Sequence, residues 1–158
     1  MKKSIIAVMS SIIGVVVGAT VAGKTTAGEI RKQKGYKEKH LDLYLMMNQW
    51  VKVKQENKSL SDYLKKEGYK KIAIYGMHYV GETLLRELSG SEIEVAYAID
   101  KDANAIFSDV DVVLPDADLQ NVDAVIVTAI TFFEEIEEML ADKMNCPIIS
   151  LETILYEL

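Results

Sequence analysis

The feature that most constrains this chain is a series of five short apolar runs in its second half. They are Lys70–Tyr75, Ile93–Ile99, Val110–Leu114, Ala124–Thr128 and Pro147–Ser150. Each has the length of a strand, and Ala124–Thr128 is unbroken, as expected where a strand is covered on both faces. Between the first two, Val80–Leu88 sets Leu84, Leu85 and Leu88 on one side of a helix. Phe132–Met144 is a second helix, with Glu134, Glu135, Glu137 and Glu138 early in it, where the helix dipole favours negative charge. Thr153–Leu158 is a closing helical turn. Strands alternating with helices predict an α/β fold with a parallel sheet, and the expected strand order is 3-2-1-4-5.

The first half follows other rules. Ser4 to Gly23 is 20 residues without a charge, flanked by Lys2, Lys3 and Lys24. As a helix rising ~1.5 Å per residue it spans ~30 Å, the thickness of a bilayer's hydrocarbon core. It reads as a transmembrane anchor within residues 1–24; a cleaved signal peptide ending near Thr20-Val21-Ala22 is the rival. Lys24, Arg31, Lys32, Lys34, Lys37 and Lys39 follow the run. The positive-inside bias therefore argues for a retained single-pass anchor in the cell membrane, with the globular part in the cytoplasm. Ser10, Gly14, Gly18 and Ala22 recur every four residues. They form a small-residue face for a homodimer through Gly14 and Gly18, or reflect ordinary membrane-helix composition. Gly18-Ala-Thr-Val-Ala-Gly23-Lys24-Thr25 also spells the phosphate-loop pattern. The strand that should precede it and the Mg²⁺-binding strand that should follow are missing, so it reads as the end of the membrane helix.

Residues 25–68 form a connector. Thr25–Lys39 is polar and basic, whereas His40–Lys54 carries Leu41, Tyr44, Leu45, Met47, Trp50, Val51 and Val53 at helical steps. That helix is expected to pack on the globular domain of residues 69–158 or on another copy, with Trp50 as a packing anchor. Ser59 is expected to cap a short helix, Leu60–Glu67, which Gly68 ends.

Charge divides along the same line. Residues 1–68 hold 13 Lys+Arg against 6 Asp+Glu, a net of +7; residues 69–158 hold 5 against 18, a net of −13; together these make the −6 of the whole chain. A domain so acidic repels a phosphate backbone, which argues against nucleic acid as a partner. The basic stretch beside an apolar run suits a membrane surface. The single cysteine, Cys146, excludes an internal disulfide and reads as a small buried hydrophobe. No set of His, Cys or acidic residues has metal-ligand spacing, so no metal site is assigned. Tyr97-Ala-Ile-Asp-Lys101 has the Tyr-x-x-x-Lys spacing of short-chain dehydrogenases. It straddles a strand and a loop instead of one helix face, so no catalytic residue is assigned.

Ligands of open parallel sheets bind outside the carboxyl ends of the strands, at the switch between strands 1 and 4. Here that edge gathers Gly76–Gly81, Asp100–Asp102 and Thr128–Thr131. Gly76-Met77-His78-Tyr79-Val80-Gly81 is the dinucleotide fingerprint with its middle glycine replaced by His78. Gly76 allows the tight turn and Gly81 the close packing of helix on strand. Asp100, 24 residues after Gly76, stands where an acid after strand 2 would hold a ribose hydroxyl. Thr128 and Thr131 either face a ligand or cap the next helix, and capping is the expectation. Two readings follow for the edge: a site for NAD(P) or a nucleotide sugar, or a scaffold that keeps only the glycines its packing needs.

The stretch Gly68–Asp100, GYKKIAIYGMHYVGETLLRELSGSEIEVAYAID, resembles the Rossmann-like modules of bacterial surface-polysaccharide proteins, and VDAVIVTAITFFEEIEEML and CPIISLETILYEL extend the resemblance. Such modules occur in nucleotide-sugar epimerases and dehydratases and beside glycosyltransferases. The resemblance implies a small membrane-tethered form of a nucleotide- or nucleotide-sugar-binding module. It would be non-catalytic, accessory to polysaccharide biosynthesis, and partnered by a glycosyltransferase or another assembly protein. In the resembling modules the loop glycines match Gly76 and Gly81 and the acid matches Asp100; His78 departs from the pattern. A subunit of an NAD(P)-dependent sugar-nucleotide epimerase or dehydrogenase, and a structural scaffold with a vestigial site, are the alternatives.

Overall fold

The computed structural model describes residue 35 and residues 37–158. The run Ser4–Gly23, its Gly14/Gly18 face and the Gly18–Thr25 pattern lie outside the described residues. Among the described residues no helix is long and apolar enough to cross a membrane. The chain divides into two units, Met1–Asp42 and Leu43–Leu158. Of the first unit, residues 37–42 are described as helical.

The second unit is a five-stranded sheet, β1 (Lys71–Tyr75), β2 (Glu94–Ile99), β3 (Val112–Val113), β4 (Ala124–Val127) and β5 (Ile148–Ser150). Every pairing is parallel, and the order is β3-β2-β1-β4-β5, as the alternation of runs predicts. The three central strands supply the most buried residues. Ile72 to Ile74 and Ala124 to Val127 are fully covered, so neither strand shows the apolar–polar alternation of a sheet with one wet face.

Both faces are covered. On one lie α1 (residues 43–55), α2 (Leu60–Lys66), α3 (Tyr79–Leu88) and α5 (Leu151–Glu157). Their Met46, Trp50, Leu64, Leu84, Leu88 and Ile154 close on Ile72, Ile74, Ala98 and Ile126. On the other lies α4 (Phe133–Ala141), whose Ile136 and Leu140 pack on Ala73, Tyr75, Ile99, Val125 and Val127. Each fully buried Leu or Ile contributes about 1.5–3 kcal/mol relative to exposure. Trp50 is the anchor of α1: it is 3% exposed, and its indole N–H donates to Glu87 Oε2 at 2.6 Å. Lys54 Nζ reaches the other oxygen of the same carboxylate at 3.1 Å, so α1 is pinned to α3 through one side chain.

Several boundaries differ from the pattern in the sequence. Val110–Leu114 pairs only over Val112–Val113, because β3 is an edge strand bonded on one side alone. The helix expected from Phe132 begins with a 3-10 turn, Ile130–Phe132, and α4 ends at Ala141, with Lys143 and Met144 N–H both donating to Leu140 O. The closing turn is longer than expected, since α5 starts at Leu151 directly after β5. Ser59 stands at the head of α2 without capping it; its hydroxyl shares a hydrogen bond with that of Ser61 instead. Gly68, at φ +85°, ends that segment as expected.

Candidate functional site at the carboxyl ends of the strands

The turn after β1 is fixed by two glycines. Gly76 has φ +95°, the left-handed region that disfavours a side chain, and a Cβ there would lie 2.7 Å from Thr128 Oγ1. Gly81, in the first turn of α3, passes so close to the carbonyl oxygen of Gly76 that a Cβ would overlap it. These are the roles the fingerprint assigns to its first and last glycines.

Three strand ends are tied into this turn. Gly76 N–H donates to Ile99 O of β2 at 2.9 Å. Thr128, directly after β4, donates its N–H to Tyr75 O, and its hydroxyl lies 3.0 Å from Tyr75 O and 2.5 Å from Gly76 O. The expectation that Thr128 caps the following helix is thus corrected. Its hydroxyl turns back to the carbonyls at the end of β1, and α4 has no side-chain cap. The hydroxyl proton is directed at the carbonyls of Tyr75 and Gly76, so the group is occupied locally.

Asp100 is buried, 6% exposed, and its carboxylate faces the main chain. Oδ2 accepts Met77 N–H at 2.7 Å and Oδ1 accepts Asp102 N–H at 2.9 Å. Charge-assisted bonds of this kind are among the stronger ones, so Asp100 clamps the β1–α3 turn to the end of β2. Met77 is buried beneath the turn, 1% exposed, while His78 and Tyr79 stand outside it, Tyr79 at 89%.

A cavity of about 240 Å³ opens beside the turn on its β4 side. Its wall comes from Leu43, from His78 to Gly81, and from Thr128 to Phe132. It brings together Gly76, His78, Tyr79, Val80, Gly81 and Thr128 of the residues picked out by the sequence; Met77 and Asp100 do not line it. Its character is mostly apolar, and its volume falls just below the ~300–1,000 Å³ usual for small-molecule sites. A larger recess of about 460 Å³ lies farther along the edge, between the start of α4 and the start of α5, and presents Glu134, Glu135 and Glu152.

Two features escape a reading of the sequence. Leu43, from the connector helix, walls the cavity, although nothing in its local pattern marks it as a site residue. His78, Asp100 and Asp102 also converge, with one ligating atom from each within 4.8 Å of the others. They stand 22 and 24 residues apart, across a helix and a strand, so no local spacing announces them. Elsewhere Tyr97, paired by spacing with Lys101, spends its hydroxyl on Gln120 O at 2.7 Å. Cys146 is half-buried against the α4 face, and burial pushes its thiol pKa up, away from thiolate chemistry.

Comparison with known proteins adds one finding. No curated protein and no solved structure matches this chain. The family model described as C2185-like, N-terminal, matches residues 68–148, which run from the end of the α2 segment through the start of β5. That stretch contains β1 to β4, the clamped turn and the cavity wall contributed by both loops, and it is more than half of the 158 residues. The protein therefore belongs to the C2185-like, N-terminal family.

Proposed function

We propose that this chain is a membrane-anchored, Rossmann-like module that binds a nucleotide or nucleotide sugar at the switch between β1 and β4. It acts as an accessory to surface-polysaccharide assembly and carries no catalytic group of its own. The observation that carries the proposal is the cavity between the Gly76–Gly81 turn and the Thr128–Phe132 segment, at the point where the strand order reverses. Its apolar wall suits a base or sugar face, and the N-terminus of α3 beside it favours an anionic group. The anchor and the cytoplasmic placement rest on the uncharged run Ser4–Gly23 and the lysines and arginine after it.

The size of the cavity and the engagement of Asp100 point to one nucleotide unit instead of a dinucleotide. Both Asp100 oxygens already accept main-chain N–H groups, and His78 carries a side chain where pyrophosphate would touch bare backbone. The same two observations favour a second reading, a tethered scaffold whose turn keeps its clamp for packing alone.

Thermal denaturation of the full chain with NAD, NADP, UDP-sugars and CMP-sugars, in EDTA and again with Mn²⁺, separates these readings. A ligand at about 100 times its Kd stabilises the folded state by about 2.7 kcal/mol. The expected result is a shift with a nucleotide sugar that exceeds the shift with NAD. Absence of any shift under both conditions leaves the scaffold.

A further inference from the structure

The exposed crest of the β1–α3 turn carries a side chain that the fingerprint does not call for. His78 replaces the middle glycine, and its Nε2 lies 3.8 Å from Asp102 Oδ2, both side chains being about 70% exposed (69% and 71%). Asp100 completes the group from below, with all three ligating atoms within 4.8 Å of one another. The three differ in freedom. Asp100 is held in place by the N–H groups of Met77 and Asp102, one on each oxygen. A carboxylate oxygen offers about two lone-pair sites, so this clamp fixes the group and leaves acceptor capacity on it. His78 and Asp102 stand in solvent and are free to close by rotamer changes.

Charge gives the cluster a use. The N-terminus of α3 favours an anionic group, but Asp100 and Asp102 meet His78 at its head, and their negative charge opposes a phosphate there, since like charges repel. A divalent cation between them reverses the sign of that contact. We propose that His78, Asp100 and Asp102 form a divalent-cation site whose open coordination positions face the phosphate of a bound nucleotide. One imidazole and two carboxylates suit an ion that accepts mixed nitrogen and oxygen ligands, such as Mn²⁺, Co²⁺ or Zn²⁺, better than Ca²⁺, which takes oxygen ligands. Three protein donors leave positions for water or a phosphate oxygen. His78 then has a reason to stand where glycine is expected: a metal-bridged contact replaces the direct contact of phosphate with backbone. The bridging role rests on the nucleotide reading above, whereas the cation site itself does not.

Electron paramagnetic resonance of Mn²⁺ titrated into the full chain, without nucleotide, tests the site. The expected result is one bound ion per chain, seen as loss of the free-ion signal. His78→Ala and Asp102→Asn should each weaken binding by about tenfold or more, a loss seen even for residues behind the direct ligands. Asp109→Asn, outside the cluster, should leave it unchanged. Because His78 and Asp102 are exposed, both variants are expected to keep the wild-type circular dichroism spectrum. Failure of the chain to bind Mn²⁺ at millimolar concentration, or binding that survives both substitutions, overturns the site. A nucleotide shift of equal size in EDTA and in Mn²⁺ overturns the bridging role alone, and leaves the nucleotide reading standing.

Discussion

The two faces of the sheet are built unequally, and the inequality separates what is packed from what is left unresolved. The face under α1, α2, α3 and α5 resolves its buried polar atoms: the Trp50 indole reaches Glu87, and Gln49 Nε2 reaches Leu155 O at 3.1 Å. The face under α4 holds two buried tyrosines in adjacent strands with different fates. Tyr97 donates its hydroxyl to Gln120 O, while the Tyr75 hydroxyl is the buried side-chain oxygen without a partner among the described residues. Burial, and then the nearby Asp100 carboxylate, push the Tyr75 pKa up, so it stays a neutral phenol. A face covered by four helices can bring a partner to each polar group. A face covered by one helix and loops must find partners in the loops, and the one beside β1 does not supply one.

Truncation of the core should test this contrast most strongly. Leu84→Ala and Leu140→Ala remove equally buried side chains from α3 and α4. Each should cost within the ~2–5 kcal/mol range for such changes, with Leu84 the larger. The three other helices on its face hold the cavity open, whereas α4 is free to settle onto the sheet. Urea denaturation measures both, and equal losses would mean that four helices hold their face no more firmly than one helix holds the other.

The turn after β1 comes next. Gly81→Ala places a Cβ against the Gly76 carbonyl and should cost about 3 kcal/mol. Gly90→Ala, with open space around it but φ +76°, should cost only about 1 kcal/mol. Asp100→Asn turns one acceptor of the clamp into a donor facing an N–H. It should lower stability by about 1.5–3 kcal/mol and speed amide exchange at Met77, measured by hydrogen exchange.

The smallest effects fall on the two tyrosines. Tyr97→Phe leaves Gln120 O without its donor and should lose about 1 kcal/mol. Tyr75→Phe removes a hydroxyl that has no partner and should be neutral or slightly stabilising in the same denaturation assay. A Tyr75→Phe loss as large as that of Tyr97→Phe would mean that the hydroxyl is bonded in solution, and the inequality of the faces would disappear.

Much of the sheet was legible because its cause is local. The unbroken Ala124–Val127 run, the glycines at Gly76 and Gly81 and the helical spacing of Leu84 and Leu88 each follow from the chemistry of a few neighbouring residues. The misplaced boundaries are those set at a distance. Val110 and Leu114 have strand chemistry, but an edge strand pairs only where β2 offers a bonded neighbour. Thr128 has cap chemistry, but the carbonyls of Tyr75 and Gly76 lie nearer than a helix N-terminus. The candidate site was legible as an edge and a set of loops; the orientation of Asp100 was not, because its partner is a main-chain N–H 23 residues earlier.

By itself the sequence determined the class of this protein: a parallel α/β sheet of order 3-2-1-4-5 and a turn that tolerates no side chain at its two glycines. Those outcomes rest on hydrophobic periodicity and backbone sterics, which act between near neighbours. Only the tertiary structure decided that a connector-helix leucine walls the cavity, that Asp100 holds the turn, and that a histidine and two aspartates meet above it. Such encounters depend on the distances closed by folding: the alternation of strands and helices brings the loops at Gly76–Gly81 and Asp100–Asp102 to one edge, but which of their side chains touch is decided only when the strands are in place.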